Sequence, residues 1–196
     1  MSLVKELLRE PAIDLVRLVI AYYIRKYGRG ISTEVLVKLL FLILYTDADG
    51  TKLLDSPRAR LPEEFRIYLK GPFIPIDRLL GGESEMSKYD IVKTGDSYYV
   101  KDINKDFEDS YRALEKRGLK DLADYAMRII DIYGRLREGD IVAHSLEVLG
   151  IKSEVIKALA FNMSLDTYID AAKKLKEILE SRESVNEEEL YPDLFK

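Results

Sequence analysis

The side chains able to do chemistry in this chain are few. Its 196 residues include no cysteine and a single histidine, His144. Without thiols there is no cysteine nucleophile, no disulfide and no thiolate metal site. Triads and multi-histidine metal centres would rest on His144 alone. Asp140 stands four residues before it, on the same helical face. Such a pair can tune a proton or hold an ion, but its ordinary reading is a local hydrogen bond. Asp47-Ala48-Asp49-Gly50 begins like a calcium loop yet lacks the third acid and the bidentate glutamate that would complete one, so it reads as a helix-terminating turn. Gly28-Arg29-Gly30 and Gly81-Gly82 have neither the preceding strand nor the spacing of a phosphate cradle. Carboxylates are plentiful, 35 in all, and no pair of them stands out. These residues predict no catalytic site, no cofactor and no metal: a protein that is not an enzyme.

The other chemistry open to the chain is binding. Arg58, Arg60, Arg66, Lys70 and Arg78 surround a loop and a Gly-Pro dipeptide, and Lys93, with Lys88 and Lys101 nearby, lies on a predicted hairpin. The simpler reading of these cations is scattered, solvated charge. The functional reading is a phosphate-contacting surface made by a helix and a wing. The net charge of −4 argues against nucleic acid, because phosphate contacts dominate that affinity. Yet residues 1–80 hold 13 Lys and Arg against 10 Asp and Glu, while residues 102–196 hold 15 against 21. The basic N-terminal half keeps nucleic acid open as a partner. Tyr98 and Tyr99 are available to stack on a ligand, although on strands such residues ordinarily pack across to a neighbour.

These residues must be positioned by the elements around them, and the chain is organised about one. From Val35 to Tyr45 the sequence is apolar but for Lys38, which follows Glu34 by four, the favourable order for a helical ion pair. A helix apolar on nearly every side belongs at the centre of a core, with Leu39, Leu40 and Ile43 almost fully buried, and this one is too short to span a membrane. Before it, Ile13, Val16, Ile20 and Ile24 recur at helical spacing, with Pro11 at the first turn and Gly28 as the left-handed stop. Ser32 is suited to cap the central helix. Ile74 to Leu80 reads as a short helix or turn ending at Gly81-Gly82. Tyr89 to Lys93 and Ser97 to Lys101, joined by Thr94-Gly95-Asp96, predict a β-hairpin over 89–101. From Asp102 the pattern is helical, with Phe107, Tyr111 and Leu114, then Leu122, Ala126 and Ile129, then Ile141 and Leu149. Ser153 and Ser164 cap two further helices, and Tyr168, Ala172, Leu175 and Leu179 share a face of the last.

The composition lacks glutamine, has three asparagines and is rich in Glu, Lys, Arg, Ile and Tyr, the usage expected in a hot environment. The N-terminal residues mix acids among the apolar groups and form no signal peptide, which predicts a cytoplasmic protein. The sequence therefore predicts a mainly α fold with one β-hairpin, in a winged-helix-like outline. Residues 1–102 would form a domain of that kind, 103–185 a helical C-terminal subdomain, and 186–196 a tail. In the tail, solvated Glu187 to Glu189 precede Leu190, Tyr191, Leu194 and Phe195, which would dock on this chain or a neighbour.

Lys38-Leu39-Leu40-Phe41-Leu42, then Gly50, Phe65 and Tyr68-Leu69-Lys70-Gly71-Pro72 resemble the pattern of the Panacea family, the SocA-like antitoxins. That pattern has a Lys-Leu-Leu-Tyr-like helix, a Gly, an aromatic residue and a Gly-Pro. Phe41 stands where the family usually has Tyr. The likeness covers roughly residues 32–101, including a β-hairpin after the Gly-Pro. It implies a non-catalytic helical protein that binds and neutralises a toxin or acts as an adaptor, with Lys38, Phe41, Gly71 and Pro72 as its motif. The leading expectation is therefore a protein-binding module whose partner is a protein, a toxin being the candidate. The alternative is a winged-helix DNA-binding regulator using Arg58, Arg60, Arg66, Lys70, Arg78 and Lys93. The C-terminal helices would then serve as a dimerisation or effector arm. No membrane partner is expected, and a homodimer would form through the C-terminal helices.

Overall fold

A helix with no polar face to give to water must be surrounded, and in the computed structural model, which describes residues 3–183, every residue from Val35 to Tyr45 is buried. This helix, α2 (Thr33–Tyr45), opens on Ser32, whose hydroxyl accepts the Val35 N–H at 3.3 Å. Leu39, Leu40 and Ile43 are wholly shielded, as the periodicity predicts. Ahead of it runs α1 (Leu3–Tyr27), which buries Ile13, Leu15, Val16 and Leu18 to Ala21. It stops where Gly28 takes a φ of 69° and donates to Ile24 O at 2.7 Å.

Pro11 is not at the first turn of this helix. It lies in the interior, because the helix begins at Leu3. A proline here removes the N–H that would serve the carbonyl of Leu7. Leu7 is exposed, where water replaces such a donor.

The expected hairpin is present as β4 (Ile91–Thr94) and β5 (Ser97–Val100). It is closed further by β1 (Ile31–Ser32), the two residues leading into α2, which pair with β5 through Ile31 opposite Tyr98. The antiparallel order is β1-β5-β4. Helix, short strand, helix and terminal hairpin thus close on one small antiparallel sheet. A second hairpin, unforeseen in the sequence, occupies the Gly-Pro segment: β2 (Arg66–Tyr68) pairs with β3 (Gly71–Phe73), Ile67 lying opposite Pro72. Two short helices, α3 (Ile76–Leu80) and α4 (Glu83–Lys88), connect it to β4.

The remaining chain is helical: α5 (Ile103–Lys116), α6 (Lys120–Tyr133), α7 (Glu138–Val148), α8 (Glu154–Ala160) and α9 (Leu165–Glu183). Its apolar faces join α1 and α2 in one hydrophobic cluster that includes Leu114, Ala126, Ile129 and Ile141. Buried Asp106 of α5 takes the Arg17 guanidinium of α1 and the Asp102 N–H. That pairing is what allows a carboxylate to sit in the core. The fold is mainly α with small antiparallel sheets. No helix among the described residues is long and apolar enough to cross a membrane. The expected docking of Leu190, Tyr191, Leu194 and Phe195 lies outside the described residues.

Candidate functional site

The motif residues distant in sequence meet in space. Lys38 is the one charged residue inside the apolar run of α2, and its Nζ donates to Pro72 O at 2.8 Å. The same ammonium lies 2.7 Å from Glu34 Oε1. Glu34 in turn draws Lys70 of the hairpin turn to 3.5 Å, and Lys70 also approaches Glu138 of α7 at 3.7 Å. Lys38 is fully buried. Burial pushes its proton affinity below the ordinary lysine value, a shift that the hydrogen bond and charge of Glu34 oppose. Gly71 is needed at the turn: its φ is +86°, and a Cβ there would press on Ser145 Oγ at 3.1 Å and on Leu146. Phe41 reaches the same neighbourhood through Phe65, their rings edge to face at 6.4 Å. Lys38, Gly71 and Pro72 therefore tie the hairpin to α2, and Phe41 packs beneath the strand that leads into it.

What this anchoring holds in place is an apolar surface. Leu69, at the tip of the hairpin, is 67% exposed, and Phe73 of β3 is also exposed. Tyr68 is the hub of three rings, meeting Phe73 at 5.7 Å and Phe161 at 5.6 Å, both edge to face. Phe161 is itself half exposed. The far side of β2 is held by the turn between α8 and α9. Asn162, at φ 60°, donates from its N–H to Ile67 O at 2.7 Å and accepts Arg66 Nη1 on its carbonyl at 3.0 Å. Its side-chain oxygen accepts the Tyr68 hydroxyl at 3.2 Å.

Beside these rings a groove of about 860 Å³ opens, floored by Tyr45, Phe65, Tyr68 and Phe73. Arg60, Arg66 and Arg78 stand along it, matched by Glu63, Glu64 and Asp166. Arg66 lies 3.4 Å from Glu64 and Arg78 3.9 Å from Glu63. The Tyr45 hydroxyl donates to Asp166 at 3.1 Å, and burial, then the Asp166 charge, pushes its phenol well above the ordinary range.

The six cations singled out in the sequence are not gathered on one face. Arg60, Arg66 and Arg78 share the groove, whereas Lys70 is engaged by Glu34 and Glu138. Lys93 donates to Asp77 at 2.7 Å and lines, with Asp77, Met86 and Gly95, a separate small cleft. Arg58 is structural: its Nη2 donates to Thr46 O at 2.9 Å, and its guanidinium lies 4.0 Å over the Tyr125 ring. The helix before the β4–β5 hairpin, α4, carries Glu83 and Glu85, and its only cation, Lys88, is bonded to Glu85.

His144 is not bonded to Asp140. Its Nε2 lies 2.8 Å from Gly50 O, and since a carbonyl can only accept, that nitrogen carries the proton. The ring stacks on Tyr133 at 4.5 Å, whose hydroxyl donates to Asp49 O at 2.6 Å. Asp140, four residues earlier, stays exposed to solvent; the carbonyl made available by the 47–50 loop wins the imidazole. That loop is a clamped turn: Asp47 Oδ1 accepts the Thr51 and Lys52 N–H groups, and Arg128 holds Asp49 at 2.7 Å. No group of three or more His, Asp or Glu able to hold a metal ion occurs among the described residues.

Sequence reasoning did not find Glu34 as the second partner of Lys70, nor Leu69, Phe73, Phe161 and Asn162 as a surface. The available signal was the Leu69-Lys70-Gly71 step, a turn with a large apolar residue at its tip. No protein-family description, curated protein or solved structure matches the chain.

Proposed function

We propose that this protein is a non-catalytic, cytoplasmic protein-binding module resembling the Panacea antitoxins, with a toxin-neutralising or adaptor role. The observation that carries the reading is the Lys38–Pro72 bond, which fixes to the core a hairpin whose tip presents Leu69 and whose flank presents Tyr68, Phe73 and Phe161. Large apolar and aromatic groups held rigidly in water are what a protein partner covers, and such residues concentrate binding energy at interfaces. A catalytic role would need a reactive centre, and the groove beside the rings holds matched ion pairs instead.

The second reading is a winged-helix DNA-binding regulator, favoured by the β1-β5-β4 sheet. Weighing against it, α4 is acidic on the approach to the wing and Lys93 is held by Asp77. A pull-down with the tagged chain from its native host, with and without nuclease, separates the two. A polypeptide retained after nuclease supports the binding module; material lost with the nuclease puts the DNA-binding regulator first.

A further inference from the structure

The start of α9 belongs to the core, with Leu165 and Ile169 buried, but every described side chain from Asp170 to Glu180 is exposed. This half of the helix stands away from the body. A helix in that position is stable when its apolar side is covered, yet Leu175 is 58% exposed, next to Ala171 and Ala172 on the same side. The preceding helix also has an exposed apolar side: Leu159 and Val155, one turn apart on α8, are 75% and 69% exposed, while Ala160 is buried.

Past Asp170, the charges along the projecting half fall into two blocks. Lys173, Lys174 and Lys176 come first, and Glu177 and Glu180 follow. The Lys176–Glu180 pair within the helix, at 3.7 Å and well exposed, is of the weak kind that can be exchanged for an intermolecular one. In a parallel pair of such helices, basic half would lie beside basic half. In an antiparallel pair each basic half lies beside the acidic half of the other helix, and the two leucines meet near the middle. We propose that the projecting half of α9 is a self-association surface that takes a second copy of this chain, the two α9 helices running antiparallel.

The test is sedimentation velocity of the full chain over a range of micromolar concentrations, with circular dichroism to confirm that each variant is folded. A reversible monomer–dimer equilibrium is expected. Leu175→Glu should weaken it at least about tenfold, since an apolar contact is lost from both copies. A variant with Lys173, Lys174 and Lys176 changed to Glu should be monomeric, as should one with Glu177 and Glu180 changed to Lys, and a 1:1 mixture of the two should form a heterodimer. Because the chain has no cysteine, Ala171→Cys supplies a lone thiol for orientation. Its two copies would be about 16 Å apart along an antiparallel pair centred between Lys176 and Glu177, at about 1.5 Å per residue, too far for a disulfide.

A wild-type chain that stays monomeric overturns the proposal, and so does ready disulfide formation at Ala171→Cys. Dimerisation indifferent to Leu175→Glu also overturns it. If the wild type is monomeric and dimerises only when Leu190, Tyr191, Leu194 and Phe195 are changed to Ser, the surface belongs to the chain's own C-terminal segment, and the proposal again fails.

Discussion

Lys38 Nζ donates to the carbonyl of Pro72 across 34 residues of sequence, at 2.8 Å and out of contact with water. The bond turns a charge buried in the most apolar helix of the chain into the anchor of the β2–β3 hairpin. Losing the ammonium would leave Pro72 O without its donor and Glu34 with only the more distant Lys70, at 3.5 Å, as counter-ion. Breaking a buried pair by removing one partner is strongly destabilising. Lys38→Met should therefore lower stability by about 3 kcal/mol in urea titration. It should also speed amide hydrogen exchange at Ile67 and Phe73. A variant as stable as the wild type, with unchanged exchange in the hairpin, would show that the bond anchors nothing.

Leu40 is wholly shielded in the middle of α2. Leu40→Ala should cost about 2–5 kcal/mol, the range for a buried leucine truncated in a packed core. A loss below about 1 kcal/mol in chemical denaturation would place this helix at the periphery of the fold.

Gly50 and Gly28 both have positive φ, 72° and 69°, but only Gly50 is crowded. A Cβ there would come within 2.4 Å of the Tyr133 ring, which is stacked on His144 and bonded to Asp49 O, whereas Gly28 has open space around it. Gly28→Ala pays for the left-handed backbone alone, about 1–2 kcal/mol. Gly50→Ala should lose about 1–3 kcal/mol more through overpacking. Equal melting temperatures for the two variants would mean that the ring is free to move.

Central helix, capping serine and terminal hairpin were legible because each is written locally. Val35 to Tyr45 has no polar stripe, Ser32 precedes an apolar run, and Thr94-Gly95-Asp96 separates two runs rich in β-branched and aromatic residues. The β2–β3 hairpin was hidden for the opposite reason. Its strands are three residues long, and Pro72 argues against a strand. It is tolerated because β3 pairs on one side only. The outer edge of β2 is completed by Ile67 N–H donating to Met163 O and by Leu165 N–H donating to Phe65 O, contacts about a hundred residues away that no local pattern encodes. His144 was misassigned to Asp140 for a similar reason: spacing reveals partners on one helix, and its partner is on a distant loop.

Alkali offers a test of the Tyr98–Asp77 contact. The buried Tyr98 hydroxyl donates to Asp77 Oδ1 at 2.7 Å, and burial together with that carboxylate pushes its phenol from the ordinary 10.0 to about 12. Between these values the unfolded chain has lost the proton that the folded chain keeps, so stability should fall as pH rises from 10.0 toward 12, by at most about 1.4 kcal/mol per pH unit from one such group. Lys38, shifted down from 10.5, acts in the opposite sense as pH approaches that value, and the decline should be clearest above it. Tyr98→Phe should flatten the decline in urea midpoints measured across this range. An unchanged slope would exclude Tyr98 as its source.

The cations bear on the alternative reading. Arg66, Lys70 and Lys93 each have an acidic neighbour within 3.5 Å, so phosphate contacts would first have to displace these carboxylates. Binding to a labelled duplex pool should be no tighter than the non-specific range of about 10⁻⁴–10⁻⁶ M. It should also be indifferent to replacing all three by Ala, by fluorescence anisotropy at two salt concentrations. Submicromolar binding abolished by the triple variant would give the DNA-binding regulator first place.

If the anchored hairpin presents the partner-binding face, Leu69 lies at its centre, since its side chain is 67% exposed and can be changed without touching the core. Wild-type and Leu69→Glu chains, equal in melting temperature, should be used to capture protein from nuclease-treated native lysate, with the retained polypeptides quantified by mass spectrometry. A specific polypeptide should be held by the wild type and reduced at least about tenfold by Leu69→Glu, the loss expected when a charge is forced into the apolar centre of an interface. The same polypeptide held equally by both chains, or none held by the wild type, would contradict that role for the hairpin.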